Sequence, residues 1–135
     1  MKEKIDDSKI LNNNLGFNEY LVSIVSEFEI WKNQAGMKLS DEPAVLTEQA
    51  AETDSLYARI GFILAEANAF LDRAEYNALC ETPEDMKAFA REVYVKNKVV
   101  REREFRDKVQ ILLEELKQKV ILAQSMIKQN GHFPR

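Results

Sequence analysis

The residues best suited to chemistry in this sequence are basic, and they are concentrated in one short segment. Positions 96–108 hold six Lys or Arg residues against three acidic residues, a local balance of +3. On a helix, Lys96, Arg103 and Arg106 fall on one side, where a row of cations can follow a phosphate backbone. The spacing therefore predicts a nucleic-acid-binding row. A salt-bridged solvent face is the alternative, because the arginines have acidic residues three or four positions away.

The charge of the whole chain is unevenly distributed between its two ends. The net charge is −4, but residues 1–82 carry seven basic against fifteen acidic residues, and residues 83–135 carry twelve against eight. Such asymmetry predicts either an anionic partner for the C-terminal part or self-association of unlike ends. Two solvated helix faces of different composition are the alternative.

The sequence contains none of the motifs that usually carry catalysis. It has no glycine-rich phosphate loop, no Gly-x-Ser-x-Gly and no His-Glu-x-x-His. The single histidine, His132, lies in the C-terminal tail, and the single cysteine, Cys80, is most simply a small buried residue. One His and one Cys cannot complete a zinc site without carboxylates. We therefore expect no enzymatic activity, metal, cofactor or small-molecule substrate.

The composition predicts an all-α protein built from long helices. Only four glycines and three prolines are present, too few for the tight turns of a β-sandwich or barrel. No apolar run approaches the ~18 residues needed to cross a bilayer, and the first residues lack the apolar stretch of a signal peptide. These features lead us to expect a cytoplasmic protein that does not associate with membranes.

Helix start and stop signals divide the chain into three helices. Asn18 and Gly36 suit the two ends of the first helix, Pro43 suits the first turn of the second, and Thr82 suits the N-cap of the third. The last two helices are joined by only two or three residues and should therefore be antiparallel. The predicted fold is a long, coiled-coil-like antiparallel helical hairpin plus a shorter N-terminal helix. One domain covers 18–130 and contains helices at about 18–35, 43–80 and 83–129. A flexible arm at 1–17 precedes this domain and a tail at 131–135 follows it.

Apolar spacing predicts which faces of these helices are buried. The first helix has one stripe, anchored by Trp31, its largest member. The third helix has two rows about 150° apart, so that either it breaks within 96–104 or its halves pack on different neighbours. The stripe of the first helix consists of Leu21, Ile24, Phe28, Trp31 and Ala35. The first row of the third helix consists of Met86, Phe89, Val93 and Val100, and its second row consists of Phe105, Val109, Leu112, Leu116, Val120 and Ile127.

A hairpin with apolar rows on several sides is expected to form a homo-oligomer. The row from Phe105 to Ile127 is the predicted interface between copies. A row of small residues in the second helix, from Ala58 to Ala69, is its predicted complement.

The apolar pattern of two segments resembles that of phage UvsY-type recombination mediators. These segments are Leu56–Tyr76 in the second helix and Val109–Ile127 in the third. The resemblance implies a small all-helical protein that assembles into a ring through its closing helix and binds single-stranded DNA and a recombinase in a phage-infected or bacterial cytoplasm. The family carries its basic residues late in its first long helix, where this chain has Arg73 alone. The basic cluster of this chain lies in the third helix instead.

Two functions follow from these features. The first is a non-enzymatic helical oligomer that acts as a DNA recombination or replication accessory factor. The alternative is a helical protein–protein interaction module, such as a phage or bacterial adaptor, assembly factor or inhibitor, without nucleic-acid binding.

Overall fold

A computed structural model describes residues 16–130, and every regular element in that range is an α-helix. The prediction of an all-α protein is therefore confirmed. The predicted arm up to residue 15 and the tail at 131–135, with His132, lie outside the described residues. The helices are α1 (Phe17–Gly36), α2 (Pro43–Glu81), α3 (Ala88–Lys98) and α4 (Val100–Gln129).

Helices α2 and α4 form the predicted antiparallel hairpin. Leu46, near the start of α2, shares a buried cluster with Ala123, near the end of α4. Leu71 and Ala78, towards the end of α2, share another cluster with Val99, immediately before α4. Because the early part of one helix contacts the late part of the other, the two helices run in opposite directions.

Helix α1 packs across this hairpin through the stripe that the sequence predicts. Trp31 is buried, and the other stripe members line the main core. Phe17 is also buried: its ring centroid lies 5.4 Å from that of Phe70 on α2 and 6.0 Å from that of Phe105 on α4. The assignment of Phe17 to the flexible arm is therefore wrong, because this residue begins α1 and fills the end of the core.

The start of the predicted third helix is also wrong. The Thr82 hydroxyl donates a hydrogen bond to the Leu79 carbonyl at 2.7 Å, so Thr82 closes α2 instead of capping a new helix. Residues 83–87 form a connecting turn, and α3 begins only at Ala88. The turn is held by the Arg91 guanidinium, whose Nη2 lies 3.1–3.3 Å from the carbonyl oxygens of Pro83, Glu84 and Met86.

The predicted third helix breaks at Val99, inside the segment where the two apolar rows diverge. Val99 has φ −109° and ψ 21°, outside the helical range. Its side chain is buried against Leu71 of α2 and Val95 of α3. Helix α3 thus packs on α2, whereas α4 packs on both α1 and α2, which explains why the two halves need differently oriented apolar rows.

The predicted oligomer interface lies inside a single chain and is corrected here. Its central members are buried in the core shared by α1, α2 and α4, and Ile127 packs on the cluster around Leu46. Apolar periodicity shows that a face is covered but does not distinguish the same chain from a second copy. The buried members are Phe105, Val109, Leu112 and Leu116, and the half-buried members are Val120 and Ile127.

One polar pair lies within this core. The Tyr20 hydroxyl donates a 2.9 Å hydrogen bond to Oε1 of Glu66, and both residues are buried. Burial, together with the Glu66 carboxylate that accepts the bond, raises the pKa of Tyr20 well above its ordinary value, and the positive charge of Arg59 opposes this only partly. The phenol therefore stays protonated in the folded protein at pH values where it ionises in the unfolded chain.

This difference predicts an alkaline loss of stability. The contribution from Tyr20 is complete below pH ~10 and declines above it, by about 1.4 kcal/mol per pH unit, because only the unfolded chain releases the proton there. Tyr20→Phe should remove this part of the slope and should also lower stability at neutral pH, where Glu66 loses its donor. Urea unfolding between pH 8 and pH 11 measures both effects. An alkaline slope equal to that of the wild type would contradict the assignment.

Candidate binding surfaces

The predicted nucleic-acid-binding residues lie on either side of the break at Val99. Lys96 lies on the last turn of α3 and is exposed, while Arg103 and Arg106 lie on the first turns of α4 and are half-buried. Nη2 of Arg103 lies 3.4 Å from the backbone carbonyl of Lys96, at the C-terminal end of α3. We call Lys96, Arg103 and Arg106 the basic corner.

Acidic neighbours neutralise part of the charge around this corner. Nε of Arg106 lies 2.7 Å from Oδ1 of Asp107, the next residue in the chain. Nζ of Lys98 lies 3.7 Å from a Glu81 carboxylate oxygen and does not join the corner. These pairs are partly exposed, and ion pairs in contact with solvent contribute only about 0–1 kcal/mol. A phosphate can therefore replace Asp107 as the partner of Arg106 at small cost.

Arg101, two positions before Arg103 on α4, projects from a different side of this helix. Its guanidinium lies 5.8 Å from the centroid of the Phe17 ring, a cation–π distance that places it beside the start of α1. The local excess of basic residues included Arg101, but its position depends on Phe17, which lies 84 positions earlier in the chain.

The late part of α2 packs against the α3–α4 junction. Leu71 and Ala78, on either side of Arg73 and Tyr76, contact Val95 and Val99 at the α3–α4 junction. Arg73 itself is exposed and Tyr76 is half-buried. Arg73 and Tyr76 thus lie on a helix that contacts the junction between the helices of Lys96 and Arg103.

A second candidate surface is an apolar groove between α1 and α4. It encloses about 420 Å³ and has Phe28, Phe105 and Leu112 among its lining residues. Val25 on α1 and Ile111 on α4 also line it, and each is 61 % exposed. Val25 and Ile111 lie beside the buried stripes of their helices, so the spacing of apolar residues does not connect them. The relative position of α1 and α4 shows that the two side chains face the same groove.

Charged residues surround this groove unequally. Glu29 and Lys32 of α1 form a 3.8 Å ion pair and, with Lys108 and Glu115 of α4, line the groove. The adjoining face of α4 adds Asp107, Glu114, Gln110 and Gln118. The groove itself is thus lined by two carboxylates and two ammonium groups, and the adjoining face adds two carboxylates, of which that of Asp107 is paired with Arg106.

The end of α1 is fixed to α4, which keeps the groove in place. Nζ of Lys119 donates a 2.6 Å hydrogen bond to the backbone carbonyl of Gln34 in the last turn of α1. Burial lowers the pKa of Lys119, and the nearby carboxylate of Glu52 partly opposes this shift. An ammonium group at a helix C-terminus interacts favourably with the last carbonyls and with the negative end of the helix dipole.

Comparisons with known protein families, with curated proteins and with solved structures gave no match for this chain. Between residues 16 and 130, no group of three or more His, Cys, Asp and Glu residues is placed to hold a metal ion. None of the four helices in that range is long and apolar enough to cross a bilayer. The basic corner and the α1–α4 groove are therefore the surfaces from which we argue function.

Proposed function

We propose that this protein is a non-enzymatic DNA recombination or replication accessory factor that binds single-stranded DNA at the basic corner. The observation that carries the proposal is the contact between Arg103 and the Lys96 carbonyl across the helix break. It joins the Arg103 side chain of α4 to the end of α3, the helix that carries Lys96. Cations grouped in this way attract a phosphate backbone and release its counterions.

The preference for single strands, and the proposed recombinase partner, rest on the resemblance to UvsY-type mediators. The contact between late α2 and the α3–α4 junction supports this choice, because it brings the region of Arg73 and the basic corner onto adjacent helices. The net charge of −4 does not oppose local binding, since a screened field at 0.15 M salt extends only about 8 Å.

The direct test is a titration of a fluorescein-labelled single-stranded oligonucleotide at low salt, followed by anisotropy. We expect binding that weakens as salt rises and that resists an equal mass of duplex competitor. If the wild-type protein does not bind at low salt, where attraction is least screened, the proposal fails.

A second candidate function is a protein–protein interaction module, and the α1–α4 groove is the observation that favours it. An apolar floor with exposed Val25 and Ile111 at its sides suits the apolar face of a helix. A partner that uses this groove should be retained by the wild-type protein and lost from an Ile111→Asp variant. Equal retention by both proteins would exclude the groove as the binding site.

A further inference from the structure

Helix α3 presents an aromatic side chain to solvent while its other side is held on α2. Phe89 is 77 % exposed, and Val93, one turn later, is 41 % exposed. Val95 is buried in the cluster that joins α3 to the end of α2, and the Tyr94 hydroxyl donates a hydrogen bond to the Glu81 carboxylate. These contacts fix the orientation of α3, so the Phe89 ring remains on a side that is open to solvent.

The exposed side of α3 leads to the basic corner. Phe89, Val93 and Lys96 are separated by four and three positions, a spacing that places them on one side of a helix. Lys96 lies two turns after Phe89, about 10 Å along the helix axis. A strand whose phosphates contact the basic corner can therefore continue along α3 and pass over the Phe89 ring.

This exposed side of α3 carries little net charge. Glu92 and Lys96 are four positions apart on it and have opposite charges. The other two basic residues of the helix, Arg91 and Lys98, contact carbonyl oxygens of the preceding turn and a carboxylate at the end of α2. An uncharged surface with an exposed ring suits the flat face of a base better than it suits a phosphate.

We propose that Phe89 stacks on an unpaired base of a single strand whose phosphates contact the basic corner. This inference rests on the proposed function and adds a reason, within this chain, for a preference for single strands. In a duplex each base is already paired and stacked, whereas an unpaired base offers a face to an aromatic ring. Because every base has such a face, the contact should show little sequence preference.

Three substitutions at Phe89 separate stacking from other contacts. Phe89→Ala removes the ring, Phe89→Leu keeps an apolar side chain without a π face, and Phe89→Trp keeps an aromatic ring. Since Phe89 is 77 % exposed, each variant should keep the helix content of the wild type by circular dichroism. The matched control is Phe62→Ala, at a ring on α2 that is 57 % exposed and lies about 14 Å along the helix from Leu71 in the contact with α3.

The measurement compares a fluorescein-labelled single strand with an abasic strand that has the same number of phosphates. On the strand with bases, Phe89→Ala and Phe89→Leu should bind about 5- to 150-fold more weakly than the wild type, as expected for the loss of one stacked base. The salt slope should not change, because no cation is removed. On the abasic strand, both variants should bind like the wild type.

The Phe89→Trp variant gives a spectroscopic readout of the same contact. It should bind the strand with bases about as tightly as the wild type, and its added fluorescence should be quenched as that strand binds. The wild type is the control for this signal, since its Trp31 is only 7 % exposed and should be quenched little.

The outcomes distinguish this inference from the proposed function. If Phe89→Ala binds the strand with bases as tightly as the wild type, stacking is rejected and DNA binding at the basic corner stands. Equal losses on the two strands, or an equal loss in Phe62→Ala, would also overturn the stacking contact. A wild type that binds neither strand at low salt would reject both proposals. Self-assembly that depends on Phe89, with DNA binding unchanged, would assign Phe89 to a protein contact instead.

Discussion

Leu116→Lys is expected to unfold the single chain rather than to separate copies. Leu116 is 0 % exposed and lies in the core that α1, α2 and α4 share. Truncating such a leucine to alanine costs about 2–5 kcal/mol, and an unpaired ammonium group in the same place adds several kcal/mol of desolvation. The sum approaches the entire stability of about 5–15 kcal/mol expected for a domain.

Circular dichroism and urea unfolding measure this effect. The control is Leu122→Lys, which introduces the same side chain on the same helix at a position that is 53 % exposed, and it should unfold at nearly the wild-type urea concentration. If Leu116→Lys keeps the wild-type unfolding curve and only lowers the molecular mass, then the Phe105–Ile127 row is an interface between copies and our assignment of the core is wrong.

The second large effect is expected on nucleic-acid binding. Replacing Lys96, Arg103 and Arg106 by glutamine removes three proposed phosphate contacts. It leaves the core intact, because none of the three is buried. At about 0.7 units of salt slope per contact for a single strand, the three contacts account for about 2 units. Affinity at about 0.1 M salt, one tenfold step below the 1 M reference, should therefore fall on the order of 100-fold relative to the wild type, for every sequence tested.

A matched control separates location from total charge. Lys38, Lys117 and Lys128 are exposed basic residues outside the basic corner, and replacing these three by glutamine gives the same net charge of −7. This control should bind within a few-fold of the wild type. Equal losses in both triple variants would mean that overall charge, and not the basic corner, determines binding.

The sequence predicted the features of the fold that depend on periodicity. The stripe around Trp31, the hairpin of α2 with the last helix and the divergence of two apolar rows near Val99 all follow from spacing along one helix. Thr82 and Pro83 matched a helix start, but the Arg91 guanidinium holds this segment as a turn. That contact arises only once α3 has formed, so local residue preferences did not reveal it.

The candidate surfaces were less accessible to sequence reasoning. Tyr20 and Glu66 are 46 positions apart, and neither type predicts a buried pair by itself. The α1–α4 groove depends on the relative position of two helices, which spacing along one helix does not give. The predicted interface of Phe105–Ile127 was wrong because an apolar row shows that a face is buried but not which helix, of the same chain or of another copy, covers it. The cations of the basic corner were found from charge and spacing. Their proximity across the break required the structure.

The salt dependence of single-stranded DNA binding tests the proposed function most directly. Dissociation constants for one labelled oligonucleotide would be measured over about a tenfold range of salt, for the wild type and for the Lys96, Arg103 and Arg106 glutamine variant. We expect two straight lines of log affinity against log salt whose slopes differ by about 2. Parallel lines would contradict the proposal, because they would show that these three residues release no counterions and that the basic corner does not contact the phosphate backbone.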